Sequence, residues 1–180
     1  MTPASPLELV CHPAAPDACV RRIGVTVTRE ADGGLGLRYR LEGALDGLRI
    51  PAGGLPLERL WAHTCFELFV MAEGGEAYRE FNFSPGGQWM HFDFSAYRVR
   101  VDSPAMPAPQ LDWRRSGDAL TLALTLPGSA LPAGALRLGI TAVVEHVDGS
   151  HRYWALGHPP GKPDFHHREG FVLALPAPTP

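Results

Sequence analysis

Carboxylate, amide and aromatic side chains alternate with apolar residues along residues 61–94. The alternating set is Glu67, Glu80, Asn82, Trp89, His91 and Asp93. Carboxylates and amides form paired hydrogen bonds with neighbouring hydroxyl groups, and an aromatic ring can stack on the apolar face of a sugar ring. These residue types in one stretch predict recognition of a saccharide or a related polar small molecule.

Three strands joined by two tight turns would position these side chains. Gly74-Gly75 and Pro85-Gly86-Gly87 indicate the turns, because glycine and proline interrupt strands. Alternation with a period of two then separates a core face from a binding face. The expected core face comprises Phe66, Leu68, Val70, Phe81, Phe83, Met90, Phe92 and Phe94. The expected binding face comprises Cys65, Glu67, Phe69, Met71, Tyr78, Glu80, Asn82, Trp89, His91 and Asp93.

Catalysis is an alternative use of the same residues. Glu67 and Glu80 could form a glycosidase pair if their carboxyl groups lie about 5–9 Å apart. Cys65 with His63 or His91 could form a nucleophile pair, but a thiol inside an apolar strand is usually inert. Because no complete acid–base or nucleophile set is visible, we expect a protein that is not an enzyme. A solvated outer sheet face is the plain alternative, although it does not account for Trp89.

A second polar segment, residues 157–168, comes late in the chain. Its ionisable candidates are His158, Asp164, His166 and His167. Adjacent residues of an extended chain point in opposite directions, so at most one of the two neighbouring histidines readily shares a site with His158. The spacing matches no known metal cage. We therefore expect no metal and interpret the segment as a loop wall beside the polar face.

The rest of the chain consists of short apolar runs separated by turns such as Asp32-Gly33-Gly34. No run of 12 residues keeps a helical period, and residues 99–109 are expected to be an extended connection interrupted by prolines. Eight to ten short strands with little helix predict an all-β fold, an antiparallel sandwich or jelly roll. We expect a single domain at residues 1–175 and a disordered tail at 176–180.

Composition narrows the range of partners. The chain has 180 residues and a net charge of −3, and without a basic patch we expect no nucleic-acid partner. Three cysteines without metal spacing are expected to be free, although Cys11 and Cys19 could pair. The N-terminus lacks the regions of a signal peptide, and no run reaches the roughly 20 apolar residues of a membrane helix. We therefore expect no membrane partner and a cytoplasmic location.

The run from Leu60 to Val70 (LWAHTCFELFV), followed by Tyr78 to Trp89 (YREFNFSPGGQW), resembles bacterial DOMON-like proteins. That group is similar to the family 9 carbohydrate-binding modules. Residues 141–145 and 153–167 extend the resemblance over most of residues 60–170. It implies an immunoglobulin-like or jelly-roll β-sandwich that binds a sugar or haem b in a pocket on one sheet. Sugar-binding members hold the sugar between tryptophans, for which Trp89, Trp154 and Trp61 are the candidates here.

Three functions remain open. The leading one is a non-catalytic domain that binds a saccharide or a sugar-containing molecule, such as a nucleotide-sugar or a cell-wall precursor. The first alternative is a haem-b-binding domain for electron transfer or sensing. Its Met/His axial pair would be Met71 with His91 or His63, because alternation puts Met90 in the core. The second alternative is a protein-interaction module without a small ligand.

Overall fold

The structure is a computed structural model that describes residues 6–178, in which it has twelve β-strands and four short 3-10 turns. The first six strands are β1 (Leu7–Cys11), β2 (Val20–Arg29), β3 (Leu35–Gly43), β4 (Cys65–Ala72), β5 (Tyr78–Phe83) and β6 (Trp89–Ala96). The other six are β7 (Val99–Val101), β8 (Gln110–Ser116), β9 (Ala119–Leu126), β10 (Leu136–Glu145), β11 (His151–Ala155) and β12 (Leu173–Leu175). None of the helical turns in this range is long and apolar enough to span a membrane. Residues 179 and 180 of the predicted tail lie outside the described residues, as do residues 1–5.

The strands form an antiparallel sandwich of two sheets that share β1. The front sheet has the order β7-β6-β5-β4-β10-β11, and the back sheet has the order β2-β3-β9-β8. Residues Leu7–Leu9 of β1 pair with β2, whereas Val10 and Cys11 pair with β11, so the strand crosses from one sheet to the other. β12 pairs with the opposite end of β10. The predicted antiparallel β-sandwich is confirmed.

The main core lies between the two sheets. Phe66, Phe81 and Phe83 of the front sheet pack in one cluster with leucines and valines of the back sheet. Tyr39 is fully buried there, and its hydroxyl donates to the backbone oxygen of Glu67 at 2.9 Å. Each fully buried large apolar side chain contributes about 1.5–3 kcal/mol to the free energy of unfolding. Because Phe66, Phe81 and Phe83 face this core, the alternation predicted for β4 and β5 is confirmed.

Two of the twelve strands, β7 and β8, are absent from the sequence-based prediction. Both are edge strands, and all three residues of β7 are exposed. β8 turns Leu111 and Trp113 towards the core, while most of its other side chains are exposed. An edge strand has one sheet neighbour and buries little, so its sequence carries a weak pattern. The predicted extended connection at 99–109 therefore begins as a strand.

A second apolar cluster covers the outer face of the front sheet. It consists of Phe69, Met71, Tyr78, Phe92, Phe94 and Phe171, with Met90 and Phe165 packed against it. Phe171 is only 1% exposed and brings the C-terminal segment down onto β4 and β5. The loop at residues 157–168 precedes Phe171 in the chain, so this contact anchors the loop's C-terminal end over the sheet.

Candidate functional site

A cavity of about 580 Å³ opens on the outer face of the front sheet, beside the second apolar cluster. Its buried residues include Glu67, Phe69, Glu80 and Val143. Aromatic walls are formed by Phe92, Phe94, Tyr153 and Phe165, and the exposed side chains at the mouth include Trp61, Arg98 and Arg100. The cavity thus combines aromatic rings, carboxyl groups and guanidinium groups.

The two glutamates come from neighbouring strands in the middle of the sheet. In register, Glu67 lies between Thr141 of β10 and Asn82 of β5. The Thr141 hydroxyl donates to Oε2 of Glu67 at 2.9 Å, and the Asn82 amide donates to Oε1 of Glu80 at 2.7 Å. Oε1 of Glu67 and Oε2 of Glu80 accept no hydrogen bond from the described residues.

Burial sets the protonation of these carboxyl groups. Glu67 is 2% exposed and Glu80 is 5% exposed. Burial raises the pKa of Glu67 well above its ordinary value, the neighbouring Glu80 raises it further, and the Thr141 hydrogen bond opposes the rise. Burial also raises the pKa of Glu80, while the Asn82 hydrogen bond and the charges of Arg100 and Arg98 oppose this. Glu67 therefore keeps its proton to a higher pH than a free carboxyl group.

A hydrogen-bonded chain runs from Arg98 at the mouth of the cavity through Tyr78 to His166, whose ring lies beside Glu80. The backbone N–H of Arg98 donates to the Tyr78 hydroxyl at 3.1 Å, and Nδ1 of His166 lies 2.8 Å from the same hydroxyl. Burial lowers the pKa of His166 to about 4, with a further contribution from Arg98. The ring is therefore neutral near pH 7, Nδ1 accepts the Tyr78 proton, and Nε2 carries the hydrogen. Nε2 lies 3.7 Å from Oε2 of Glu80.

The two arginines at the mouth are held in different ways. Arg98 donates to Oδ1 of Asp164 at 2.8 Å, and it is the one non-glycine residue with a positive φ, 56°, in the part of the chain described. Such backbone strain tends to occur at functional sites. Arg100 places its guanidinium carbon 4.0 Å from the centroid of the Phe92 ring, so one face of that ring is already covered.

Strand β6 carries its alternating side chains on the faces opposite to those expected. Phe83 pairs with Trp89, Phe81 with His91 and Arg79 with Asp93. Directly opposed residues of antiparallel strands lie on the same face, so Trp89, His91 and Asp93 face the sandwich interior.

Their contacts agree with that placement. Trp89 packs against the main core and His91, and Nη2 of Arg79 binds Oδ2 of Asp93 at 2.7 Å. The expectation that these three residues share a face with Glu67 and Glu80 is wrong. Phe92 and Phe94, expected in the core, line the cavity instead.

The predicted tryptophans separate in the same way. Trp61 lies at the cavity mouth, 46% exposed, and its Nε1 donates to the backbone oxygen of Glu58 at 3.0 Å. Trp154 pairs with Ala142 and belongs to the main core, with Nε1 donating to Asp17 at 3.1 Å. A sugar held between Trp89 and Trp154 is therefore incompatible with the structure. Tyr153, next to Trp154, is the residue of β11 that faces the cavity.

Tyr78 and Asn82 lie on the expected face but reach the cavity only through other residues. Tyr78 stacks on Phe94 with a centroid distance of 4.7 Å and supports His166. Asn82 is fully buried and orients Glu80. Both residues position side chains that line the cavity.

The late loop forms a wall, as predicted, through part of its expected residues. His166 lines the cavity together with Pro163 and Phe165. His167 turns away and accepts from the backbone N–H of Glu169 at 3.3 Å. His158 contributes no cavity wall and donates from Nε2 to the backbone oxygen of Val10 at 2.8 Å. Asp164 binds Arg98 and thereby ties the loop to the turn before β7.

The residue pairs proposed for haem ligation are separated by the fold. Met71 and His91 lie on opposite faces of the front sheet. His63 precedes β4, and Met71 lies six residues after Cys65, a rise of about 20 Å along the strand at roughly 3.3 Å per residue. One iron cannot bind both members of either pair.

One polar cluster and one concavity elsewhere in the described chain lack the combination of aromatic rings and unoccupied buried carboxyl oxygens found in the cavity. Asp17, Cys19 and His146 bring ligand atoms within 4.8 Å of one another. The Asp17 carboxylate, however, accepts from the N–H groups of Cys19 and Val20, from Trp154 and from His146, so it closes a loop. A concavity of about 500 Å³ on the back sheet is lined mainly by threonines, leucines and Arg38, without an aromatic ring.

Cysteine reactivity gives no support for a nucleophile. Cys65 is fully buried, and burial raises the pKa of its thiol well above the ordinary value, with Glu67 raising it further. A thiol in that state forms little thiolate. Cys11 and Cys19, the other two cysteines, are also free.

The protein is thus a two-sheet antiparallel β-sandwich with a cavity on the outer face of one sheet. No protein-family model matches the sequence, and no curated protein matches it significantly. Solved structures with the same fold include a candidate carbohydrate-binding protein from Bacteroides uniformis, with a TM-score of 0.71 and 16% identity. That alignment covers 96% of this chain and 84% of the other.

A family 9 carbohydrate-binding module from Caldicellulosiruptor kristjanssonii also shares the fold. Its complex with glucose aligns with a TM-score of 0.63 and 9% identity over 91% of this chain and 78% of the other. Its complex with cellotriose gives the same TM-score and identity over 87% and 74%. At these identities the similarity establishes a shared fold.

Proposed function

We propose that this protein binds a saccharide in the cavity on the front sheet and acts as a binding domain. One observation carries the proposal: two buried carboxyl groups, each with one oxygen unoccupied, lie among aromatic rings in a cavity of about 580 Å³. Carboxyl oxygens bind pairs of hydroxyl groups, and rings cover the C–H faces of a sugar. The shared fold with modules solved in complex with glucose and cellotriose supports the same reading.

The size and the walls of the cavity suit a small ligand. A volume of this order accommodates a compact molecule that is largely removed from water. Trp61 at the mouth is free to stack on a sugar unit that extends outward, whereas Phe92 is covered by Arg100. We expect Trp61, Glu67 and Glu80 to be the principal contacts.

A panel of mono- and oligosaccharides tests the proposal by thermal unfolding and calorimetry. A saccharide that binds should raise the Tm. Trp61→Ala should weaken that binding at least about five-fold, because stacking of a ligand ring on an aromatic side chain contributes on the order of 1–3 kcal/mol. Trp89→Phe, on the interior face of the same sheet, is the matched control and should leave the affinity unchanged. A broad panel with no change in Tm at millimolar concentration would contradict the proposal.

A further inference from the structure

Glu67 is a buried carboxyl group without a cationic partner. Its Oε2 accepts from Thr141, and no described residue donates to Oε1 within hydrogen-bond distance. Glu80 faces the positive charges of Arg100 and Arg98, which oppose the rise of its pKa. The other shielded carboxyl groups of the described chain each lie within 4 Å of a basic side chain. These pairs are Asp17–His146, Asp93–Arg79, Glu145–Arg49 and Asp164–Arg98. Glu67 is therefore the place where the fold leaves a counterion to be supplied.

The two arginines of the cavity do not take that role. Arg98 is bound to Asp164 and Tyr97. Arg100 rests on Phe92 and lies 3.5 Å from Glu58. Their charges act on Glu80, which lies one strand nearer to β6 and β7, whereas the groups that act on Glu67 are Glu80 and Thr141. His166 and His151 face the cavity from the loop and from β11, and Nε2 of His151 donates to the backbone oxygen of Ala62 at 2.9 Å.

The surroundings of Glu67 suit an ammonium group. Phe69, Tyr153 and Phe165 line the same cavity, and the faces of aromatic rings attract cations. A buried carboxylate gains most from a cation that binds it directly with good geometry, because no water screens the pair. Hydroxyl groups alone would leave the ionised form of Glu67 without a counterion.

We propose that the ligand is an amino sugar with a free amine, whose ammonium group pairs with Oε1 of Glu67. This inference rests on the proposed saccharide-binding function and specifies the chemical class of the ligand. N-acetylation removes the charge of the amine, so an acetylated amino sugar lacks the group that Glu67 recognises.

Proton balance provides a signature of this contact. Burial raises the pKa of Glu67 well above its ordinary value, and an arriving ammonium group favours the ionised carboxylate and so lowers that pKa. The proton that Glu67 carries at a given pH then passes to the solvent, and the carboxylate pairs with the ammonium group. A neutral sugar brings no charge and leaves that proton in place.

The test compares glucosamine, galactosamine and mannosamine with their neutral parent hexoses and their N-acetyl derivatives by titration calorimetry at pH 6. Using two buffers of different ionisation enthalpy gives the number of protons released. We expect at least one amino hexose to bind about ten-fold more tightly than its parent and its acetylated form, with release of up to one proton. Glu67→Gln should lower the affinity for that amino hexose about ten-fold more than the affinity for the parent. Glu76→Gln removes one charge from the exposed β4–β5 turn and should preserve the ratio.

The outcomes separate this inference from the proposed function. Neutral hexoses that bind as tightly as the amino hexoses, without proton release, would overturn the amino-sugar assignment and leave saccharide binding standing. A preference for the amine that survives in a folded Glu67→Gln protein would overturn the role of Glu67. A failure of all of these sugars and of the wider saccharide panel would overturn both proposals. Circular dichroism and the Tm of each variant show that it is folded.

Discussion

Glu67 is a buried ionisable group whose position has a cost in stability. Its environment offers one hydroxyl hydrogen bond and a second carboxyl group nearby, and burial removes it from water. A carboxyl group that is harder to ionise in the folded protein than in the unfolded chain makes folding less favourable as the pH rises. Saccharide recognition would be the compensating benefit.

Glu67→Gln should therefore stabilise the protein near neutral pH. Because the pKa of Glu67 is raised in the folded state, its favourable contribution is complete below the unfolded value of about 4.5 and is lost as the pH rises through the folded value. Glutamine keeps the shape and can accept from Thr141 but has no charge to desolvate. We expect a gain of about 1–3 kcal/mol at pH 8 and little gain at pH 4. Urea unfolding of both proteins across this range checks the result, and a difference independent of pH would contradict it.

His166 should give the opposite pH dependence. The unfolded chain takes up a proton near pH 6.5 that the folded protein resists until about pH 4. The histidine contribution to the free energy of unfolding therefore rises between pH 4 and pH 6.5, by on the order of 2 kcal/mol after allowance for partial solvent access. The difference between the wild-type protein and His166→Gln should show this slope, and NMR titration should locate the pKa directly. His167→Gln is the neighbouring control, and an ordinary histidine pKa at position 166 would contradict the assignment.

At the scale of the elements, the loop at residues 157–168 is attached to the β6–β7 turn through Asp164. Its carboxylate accepts from Tyr97, from Arg98 at 2.8 Å and from the backbone N–H of His166 at 3.1 Å. Hydrogen bonds from Tyr97 and Arg98 lower the pKa of Asp164 despite partial burial. One side chain thus joins two of the segments that border the cavity.

Asp164→Asn should loosen this attachment. Asparagine loses the charge that binds Arg98, and we expect a loss of about 1–2 kcal/mol in the free energy of unfolding. Amide hydrogen exchange should become faster at Arg98 and His166 while the central strands β4 and β10 keep their protection. Asp112→Asn breaks an exposed pair with Arg114 at the back sheet and should cost less than about 0.5 kcal/mol. If Arg98 and His166 exchange at the same rates in Asp164→Asn as in the wild-type protein, the loop is held by other contacts.

Strands β4, β5 and β6 show which side-chain orientations could be predicted from the sequence and which could not. Alternation within β4 and β5 identifies the face that carries Glu67, Phe69 and Glu80, as the structure confirms. In β6 both sets of alternate residues contain aromatic rings, so composition within the strand favoured the wrong one. The turn holds the better signal: closing it at Ser84 and Gln88 puts Trp89 opposite Phe83 and Asp93 opposite Arg79. Register, fixed by the turn, determines the face.

Other parts of the site had no local signal in the sequence. Arg98 belongs to the turn after β6, and Arg100 belongs to the edge strand β7, inside the segment 99–109 that was expected to be a connection. Tyr153 and Phe165 line the same cavity as Glu67 only because β11 and the late loop return to the front sheet. Which of Trp61, Trp89 and Trp154 faces the cavity depends on long-range pairing. The sandwich could be predicted from local alternation, but the composition of the cavity could not.

For the whole molecule, the division into two apolar clusters separates stability from binding. The main core lies between the sheets, and the second cluster lies outside them under the C-terminal segment. The turn between β5 and β6 packs on the backbone of Ala52 through Gly86. The φ of Gly86 is 97°, and a Cβ atom there would lie 2.5 Å from the Ala52 backbone, so no side chain fits at this position. The cavity borders the second cluster, so its walls depend on a part of the fold that the sandwich does not require.

Phe171→Ala should therefore damage the cavity while the sandwich stays folded. Phe171 is 1% exposed, and its ring centroid lies 6.0 Å from that of Phe69 and 5.5 Å from that of Tyr78. Truncation of a buried phenylalanine costs about 3–5 kcal/mol when the surroundings stay in place, and we expect about 3 kcal/mol here because the segment can relax towards solvent. The far-UV circular dichroism should keep its β signature, while hydrogen exchange should rise in residues 157–172 and saccharide affinity should fall. Phe66→Ala, in the core between the sheets, should instead lower the stability of every strand together. Equal protection losses throughout both variants would show that the two clusters unfold as one unit and that the cavity is as stable as the sandwich itself.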